Sequence, residues 1–240
     1  MTSTIDAVVR DRLALVLDFP TLGEARAALA PVAEFVRTVK VGYELFYAEG
    51  PRAVATFVDA GFDVFLDVKL HDIPNTVNKG AVAVGRLGAR YVTIHTLGGE
   101  KMVRAGVDGL AEGAGAVGVD APCALGITVL TSDATASPDD VERRMAIGRD
   151  GGCGGFVCAG AEVATAARVA PGLITYIPGI RLAGADVNDQ GRPTTPAEAI
   201  RVGATILGLG RTVTAADDPV AAMQRVYDEV AATRQSAGTQ

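Results

Sequence analysis

The stretch TVKVGYELFYAEGPRAVATFVDAGFDVFLDVK, residues 38–69, contains the unit from which the rest of the chain is built. It opens on a β-branched run, TVKVG (38–42), and closes on a second, DVFLDVK (63–69). Between them GPRAVATFVDAG (50–61) spaces its apolar residues as one face of a helix does. Strand, helix and strand in that order make a βαβ unit with parallel strands. Runs of the same kind recur at LALVLD (13–18), YVTIHT (91–96), ALGITVL (124–130), GFVCA (155–159), LITYIPG (173–179) and ATILGLG (204–210). Helical stretches such as LGEARAALAPVAEFVR (22–37) separate them, and helix-start chemistry stands at Ser137-Pro138-Asp139-Asp140 and Thr195-Pro196-Ala197-Glu198. Eight units in 240 residues predict an α/β fold, one (β/α)8 TIM barrel domain over residues 1–240. An open doubly wound sheet is the alternative, because closure is not written in any local pattern.

Composition bounds the function. Hydrophobic residues make up 49% and charged residues 21%, with mean hydropathy +0.27, which supports a sizeable core and excludes a disordered chain. A balance of 22 basic and 28 acidic side chains gives net charge −6 and a pI near 5.0. Neither nucleic acid nor an anionic membrane is therefore an expected partner, and any anion must be held by a local pocket. No apolar run reaches the ~18 residues of a membrane helix. The N-terminal stretch carries Asp6, Arg10, Asp11 and Arg12 and lacks a signal-like apolar segment, so a cytoplasmic location is expected. Cys123, Cys153 and Cys158, odd in number and without a C-x-x-C pair, read as reduced thiols. With His71 and His95 the only histidines, no transition-metal site is expected. The lysines are only Lys40, Lys69, Lys79 and Lys101, against 18 arginines. Arginine cannot release a proton near neutrality, whereas a lysine ammonium can be tuned to do so, so a retained lysine hints at proton chemistry.

A barrel places chemistry at the C-terminal ends of its strands and in the following loops. Those ends carry Asp18, Lys40, Asp67, Lys69, His95, Thr131, Ser132, Pro178, Arg181 and Arg211. The polar segment RLAGADVNDQGRPTTP (181–196) has the length of a lid or binding loop and leads toward the eighth strand, where barrels often hold phosphate. GAGAVG (113–118) matches G-x-G-x-x-G but precedes a strand, the reverse of the dinucleotide-binding order. It and GGCGG (151–155) read as flexible connections at the opposite face.

The segment FLDVKLHDIPNTV (65–77) carries the chemistry. Alternation puts Val64, Leu66 and Val68 on one face and Phe65, Asp67 and Lys69 on the other, so the charged pair points into the barrel. Asp72 follows, and Asn75 or Thr76 is a possible cap for the next helix. A structural ion pair would explain Asp67 beside Lys69. It would not explain Lys40 on the neighbouring strand or the third carboxylate. At an effective dielectric of ~20, charges 4 Å apart interact by about 4 kcal/mol, enough for an alternating Lys–Asp–Lys–Asp array to stay ionised without a metal. Arg211 follows LGLG, where Gly208 and Gly210 allow close backbone approach, and supplies a planar cation for an oxyanion, with Gln190 a second donor.

These blocks resemble the orotidine 5′-phosphate decarboxylase family. The resemblance rests on LDF, KVGYELF, FLDVKLHDIPNTV, VLTS, PGIR, DQ-x-R-x-x-TP and GLGRTVT, in family order from residue 13 to about 214. Two departures are small: no proline follows Arg211, and CAG (158–160) lacks a commonly seen serine. The resemblance implies decarboxylation of orotidine 5′-phosphate without cofactor, in pyrimidine biosynthesis. Lys69 would be the proton donor, within an array of Lys40, Asp67, Lys69 and Asp72. It further implies that Asp18 and Lys40 hold ribose hydroxyls, Thr131 and Ser132 meet the pyrimidine, and Arg181, Gln190, Gly210 and Arg211 line the phosphate side. A homodimer with shared sites is implied, Asp72 and Thr76 entering the neighbouring subunit's pocket. Tyr43, Glu44, His71 and His95 receive no functional role. Two alternatives stand beside this one: a lyase acting on a keto-sugar phosphate with Mg2+, which would want a further carboxylate where Lys40 stands, and a non-catalytic phosphate-binding barrel.

Overall fold

The computed structural model describes residues 5–130, 133, 135–182 and 194–237. The eight predicted runs form eight parallel strands: β1 (Leu13–Val16), β2 (Thr38–Val41), β3 (Asp63–Leu70), β4 (Tyr91–His95), β5 (Cys123–Ile127), β6 (Gly155–Val157), β7 (Ile174–Ile177) and β8 (Ile206–Leu209). Their order around the sheet is their order in the chain, and β8 pairs with β1 through Ala14 opposite Gly208, so the sheet closes. The open doubly wound alternative is thereby excluded. The fifth run stops at Ile127 rather than continuing to 130, because its last partners, His95 on β4 and Val157 on β6, both lie opposite Ile127.

The helices are α1 (Ala7–Arg10), α2 (Leu22–Leu29), α3 (Tyr43–Glu49), α4 (Pro51–Asp59), α5 (Pro74–Gly85), α6 (Glu100–Val117), α7 (Pro138–Asp150), α8 (Val163–Val169), α9 (Pro196–Arg201), α10 (Arg211–Thr214) and α11 (Pro219–Ala237). Among the described residues no helix is long and apolar enough to cross a membrane. Ser137 and Thr195 cap α7 and α9 through capping boxes with Asp140 and Glu198, as their sequences predict. The start of α5 differs from expectation. Its N-cap is Ile73 and Pro74 opens the helix, so Asn75 and Thr76 fall in the first turn rather than at the cap. Proline, with its fixed φ and no N–H, suits that first position.

Two cores follow from strand alternation. Val64 and Leu66 face outward into the layer packed against the helices, whereas Phe65 joins Ala14, Tyr91, Leu125, Tyr176 and Ile206 inside the barrel. The Phe65 ring meets Tyr176 edge-on, centroids 4.6 Å apart, and Tyr91 at 6.3 Å. No disulfide joins the three cysteines, and burial pushes the Cys153 thiol up to about 12, as suits an inert core residue.

GAGAVG is not a connection. Residues 113–117 lie in the last turns of α6, and Gly118 ends that helix in the left-handed conformation. Gly113, with Gly109 one turn earlier, serves contact with α5: a Cβ on Gly113 would stand 2.1 Å from the Val82 carbonyl oxygen, and one on Gly109 2.4 Å from that of Asn78. Their low helix propensity is outweighed by this backbone approach.

Where β4 ends, His95 stacks on His71 with centroids 5.2 Å apart and rings 26° from parallel. Its Nδ1 accepts the Leu97 N–H at 3.2 Å. Burial, then His71, Arg144 and Lys69, lower its pKa from 6.5 to about 4.

Two stability predictions follow from these contacts. Gly113→Ala meets backbone it cannot displace and lowers the melting midpoint by several degrees, at roughly 2–4 °C per kcal/mol for a chain of this size. Gly115→Ala, two residues on and with nothing within 4 Å, raises it, because alanine favours the helix by up to ~1 kcal/mol. Thermal melts check the opposite signs. For His95, the unfolded chain binds a proton between pH 6.5 and about 4 that the folded chain does not, so stability rises with pH across that window and is lost as pH drops through it. In His95→Gln the midpoint difference between about pH 7 and about pH 4.5 shrinks relative to the unsubstituted protein, and an equal difference in both would contradict the assignment.

Candidate active site

A cavity of about 520 Å³ opens at the C-terminal ends of the strands, within the range of small-ligand sites. Phe65 and Tyr176 line its floor, and Ile127, Val129 and Val157 supply apolar wall. The Tyr176 hydroxyl occupies the space a side chain on Gly208 would need, since a Cβ there would stand 2.3 Å from Oη. Gly208 thus makes room for a neighbouring ring and also lines the cavity itself. Burial, then Asp67 and Asp18, hold the Tyr176 pKa far above the usual phenol value, so its hydroxyl stays protonated.

One step toward the mouth from Phe65, Asp67 is only 7% exposed. The Nζ of Lys69 donates to its Oδ1 at 2.8 Å, and the Nζ of Lys40 lies 3.1 Å from Oδ2. Lys40 also lies 3.6 Å from Asp18 Oδ1, nearer solvent. Burial alone would raise the Asp67 pKa, but Lys40 and then Lys69 outweigh it and hold the carboxylate below its usual range. Within one chain the array therefore reads Asp18, Lys40, Asp67, Lys69. Gly42 leaves it space: a Cβ there would fall 2.7 Å from Asp18 Oδ1 and 3.2 Å from Lys40 Nζ.

Simple alternation carries Asp67 inward but does not describe Lys69. Leu66 pairs with Val92 and Leu70 with Ile94, so four steps of β3 oppose two of β4 and the strand bulges over the charged pair. Lys69 has φ 43°, the left-handed region, and is the one non-glycine residue with positive φ among the described residues. Such a backbone costs of order 1–3 kcal/mol and persists where its surroundings impose it. Here the Lys69 N–H donates to Thr93 Oγ1 at 2.7 Å, and that hydroxyl donates to Asp67 Oδ1 at 3.1 Å. The ring of Tyr43 lies beneath the Lys69 ammonium, 5.2 Å from centroid to Nζ, and its hydroxyl donates to the Val68 carbonyl at 3.4 Å.

Arg181, Gly210 and Arg211 line the same cavity as Asp18, Lys40, Asp67 and Lys69. Arg181 is 8% exposed and donates to the Ile180 carbonyl at 2.9 Å and to Thr212 Oγ1 at 3.2 Å, whereas Arg211, at the start of α10, is exposed. The chain's own pocket does not include Asp72 and Thr76. Both are exposed on the loop and first turn after β3, where Asp72 Oδ1 accepts the Ile73 N–H at 2.6 Å. Thr131, Ser132 and Gln190 lie outside the described residues. Sequence reasoning missed Thr93, Tyr43 and Tyr176. A signal for Thr93 existed, since Tyr91 faces inward and period two puts Thr93 on the same interior face.

Chemically, the arrangement presents an ammonium donor held beside a buried carboxylate over an apolar floor, with two guanidinium groups farther along the same cavity. Such a site can accept an anionic ligand and deliver a proton in a partly dry environment. Comparison with known proteins agrees in kind. Residues 11–226 match the profile of the family described as "Orotidine 5'-phosphate decarboxylase / HUMPS family". Curated relatives named orotidine 5′-phosphate decarboxylase include those of Anaeromyxobacter sp. (strain K), 42% identical over 90% of this chain and 96% of the relative, and Nitratidesulfovibrio vulgaris (strain DSM 19637 / Miyazaki F), 43% identical over 91% and 98%. The crystal structure of orotidine 5′-phosphate decarboxylase from Lactobacillus acidophilus superposes with TM-score 0.77 at 30% identity, covering 91% of this chain and 98% of that one. The chain belongs to the orotidine 5′-phosphate decarboxylase / HUMPS family.

Proposed function

We propose that the protein decarboxylates orotidine 5′-monophosphate to uridine 5′-monophosphate, with Lys69 protonating C6 of the pyrimidine and no metal or coenzyme taking part. The observation that carries this reading is the pair of ammonium groups on one buried carboxylate, 2.8 and 3.1 Å from it, at the mouth of the barrel. In the reaction the bond between C6 and its carboxylate breaks, CO2 leaves, and the electron pair stays on C6 in an orbital poorly placed for ring delocalisation. The Lys69 ammonium stabilises that charge and transfers a proton to the carbon, and the resulting amine regains a proton from solvent. Arginine would stabilise the charge but not give up the proton. Asp67 aligns Lys69 and, close to the substrate carboxylate, disfavours the ground state.

Asp18 and Lys40 are assigned to the ribose hydroxyls, and Arg181, Gly210 and Arg211 to the phosphate. Binding energy gained at the phosphate orders the reacting end, so it contributes to turnover as well as affinity. Thr131, Ser132 and Gln190 are assigned to the base and phosphate on the family resemblance alone. A keto-sugar phosphate lyase using Mg2+ is disfavoured by Lys40, whose ammonium stands against Asp67 Oδ2 where a metal would want another carboxylate. We further assign Asp72 and Thr76 to the pocket of a second copy. Their exposure supports this, as do the exposed apolar side chains of Ile73, next to Asp72 in the chain, and Tyr47, which stacks on Tyr43.

Turnover followed in the presence of EDTA as loss of the substrate's ultraviolet absorbance tests the assignment. The unsubstituted protein remains active, and Lys69→Ala loses at least about 10³-fold in kcat while still binding uridine 5′-monophosphate. Near-normal kcat in that variant, or loss of all activity to EDTA, would contradict it.

A further inference from the structure

We propose that Thr93 is a positioning residue for the decarboxylation, its single hydroxyl clasping the Lys69 backbone and the Asp67 carboxylate together so that the ammonium points at the reacting carbon. The inference rests on the reading of Lys69 as proton donor and goes beyond it by assigning the residue that fixes the donor's geometry.

Thr93 lies in the middle of β4 and is fully buried. A hydroxyl has one proton to give and lone pairs to accept with, and here both capacities are spent on the array. The proton goes to Asp67 Oδ1 at 3.1 Å, and a lone pair takes the Lys69 N–H at 2.7 Å. The same Oδ1 receives the Lys69 ammonium at 2.8 Å, so Thr93, Asp67 and Lys69 close a ring of three hydrogen bonds. The ring sits in the bulge of β3, where Lys69 adopts φ 43° and the register with β4 is broken. The Thr93 hydroxyl accepts the lysine N–H at a point where the regular ladder is interrupted.

Other buried threonines act differently. Thr96 donates to the Ile127 carbonyl and Thr128 to the Val157 carbonyl, each joining neighbouring backbone without touching a charged side chain. Thr93 is linked to both members of the proposed catalytic pair. Its influence would therefore fall on the orientation of Lys69 rather than on substrate affinity, since displacements of about 1 Å at a reacting group can cost of order 10²-fold in rate.

The test compares Thr93→Val, which keeps the branched shape and loses the hydroxyl, with Thr93→Ala and Thr93→Ser. The valine and alanine variants lose about 10–100-fold in kcat with KM within about threefold of the unsubstituted protein, and serine stays within about fivefold in both. Unchanged kcat in the valine variant, a loss confined to KM, or a serine variant as impaired as valine would overturn the proposal. A crystal structure of Thr93→Val separates this inference from the reading beneath it. Lys69 leaving the left-handed region, or its Nζ moving off Asp67 Oδ1, supports the clasp whatever the substrate proves to be, and an unmoved lysine refutes it. If the unsubstituted protein fails to turn over orotidine 5′-monophosphate, the functional reading fails while that structural comparison still decides the role of Thr93.

Discussion

A carboxylate enclosed by the barrel, with an ammonium on each of its oxygens, is the interaction on which the site depends. Asp67 is nearly closed off from solvent, and an isolated charge there would be costly. Lys40 and Lys69 remove that cost and in turn are held in place by it, one on Oδ2 and the other on Oδ1. Removing either member would leave a buried charge incompletely compensated, a change that typically costs several kcal/mol. The same arrangement keeps Asp67 ionised and the ammonium of Lys69 directed into the cavity. Stability and proposed chemistry are thus coupled through one side chain, whose Oδ1 also accepts the Thr93 hydroxyl.

The fold delivers this arrangement through local exceptions to its own regularity. Seven of the strand pairings run in continuous register, and the shift falls between β3 and β4, where Asp67 and Lys69 sit. The positive φ of Lys69 is offset by the Thr93 hydroxyl and by the ion pair that the bent strand allows. Gly42 is required by space rather than backbone freedom, because its own φ of −96° suits any residue while a side chain would press on Asp18 and Lys40. Outside the strands, the third carboxylate, Asp72, is exposed on the loop after β3 and does not line the cavity.

Much of the fold was legible because strand period and helix period differ and each run of β-branched residues carried its own signature. Closure was not, since the β1–β8 pairing joins residues nearly the whole chain apart. The inward face of Asp67 followed from counting by twos from Phe65. The bulge at Lys69 did not, because it arises from a mismatch with β4 that no single strand records. Period two gives the inward face of Thr93, but not its partners, which lie 24 and 26 residues earlier in the chain. GAGAVG reads as a link because it precedes a strand, yet residues 113–117 lie inside α6, where α5 approaches too closely for any side chain at Gly113. In LGLG, the Tyr176 ring adds a packing reason for Gly208 that no local pattern records.

The most direct test of the central claim is a crystal structure with uridine 5′-monophosphate bound. The account predicts Asp67 still bridging both lysines, C6 of the pyrimidine about 3–3.5 Å from Lys69 Nζ, and the phosphate at the Arg211 end of the cavity. A nucleobase seated away from Lys69, or an Asp67 that has released either lysine to hold a metal ion instead, would contradict it.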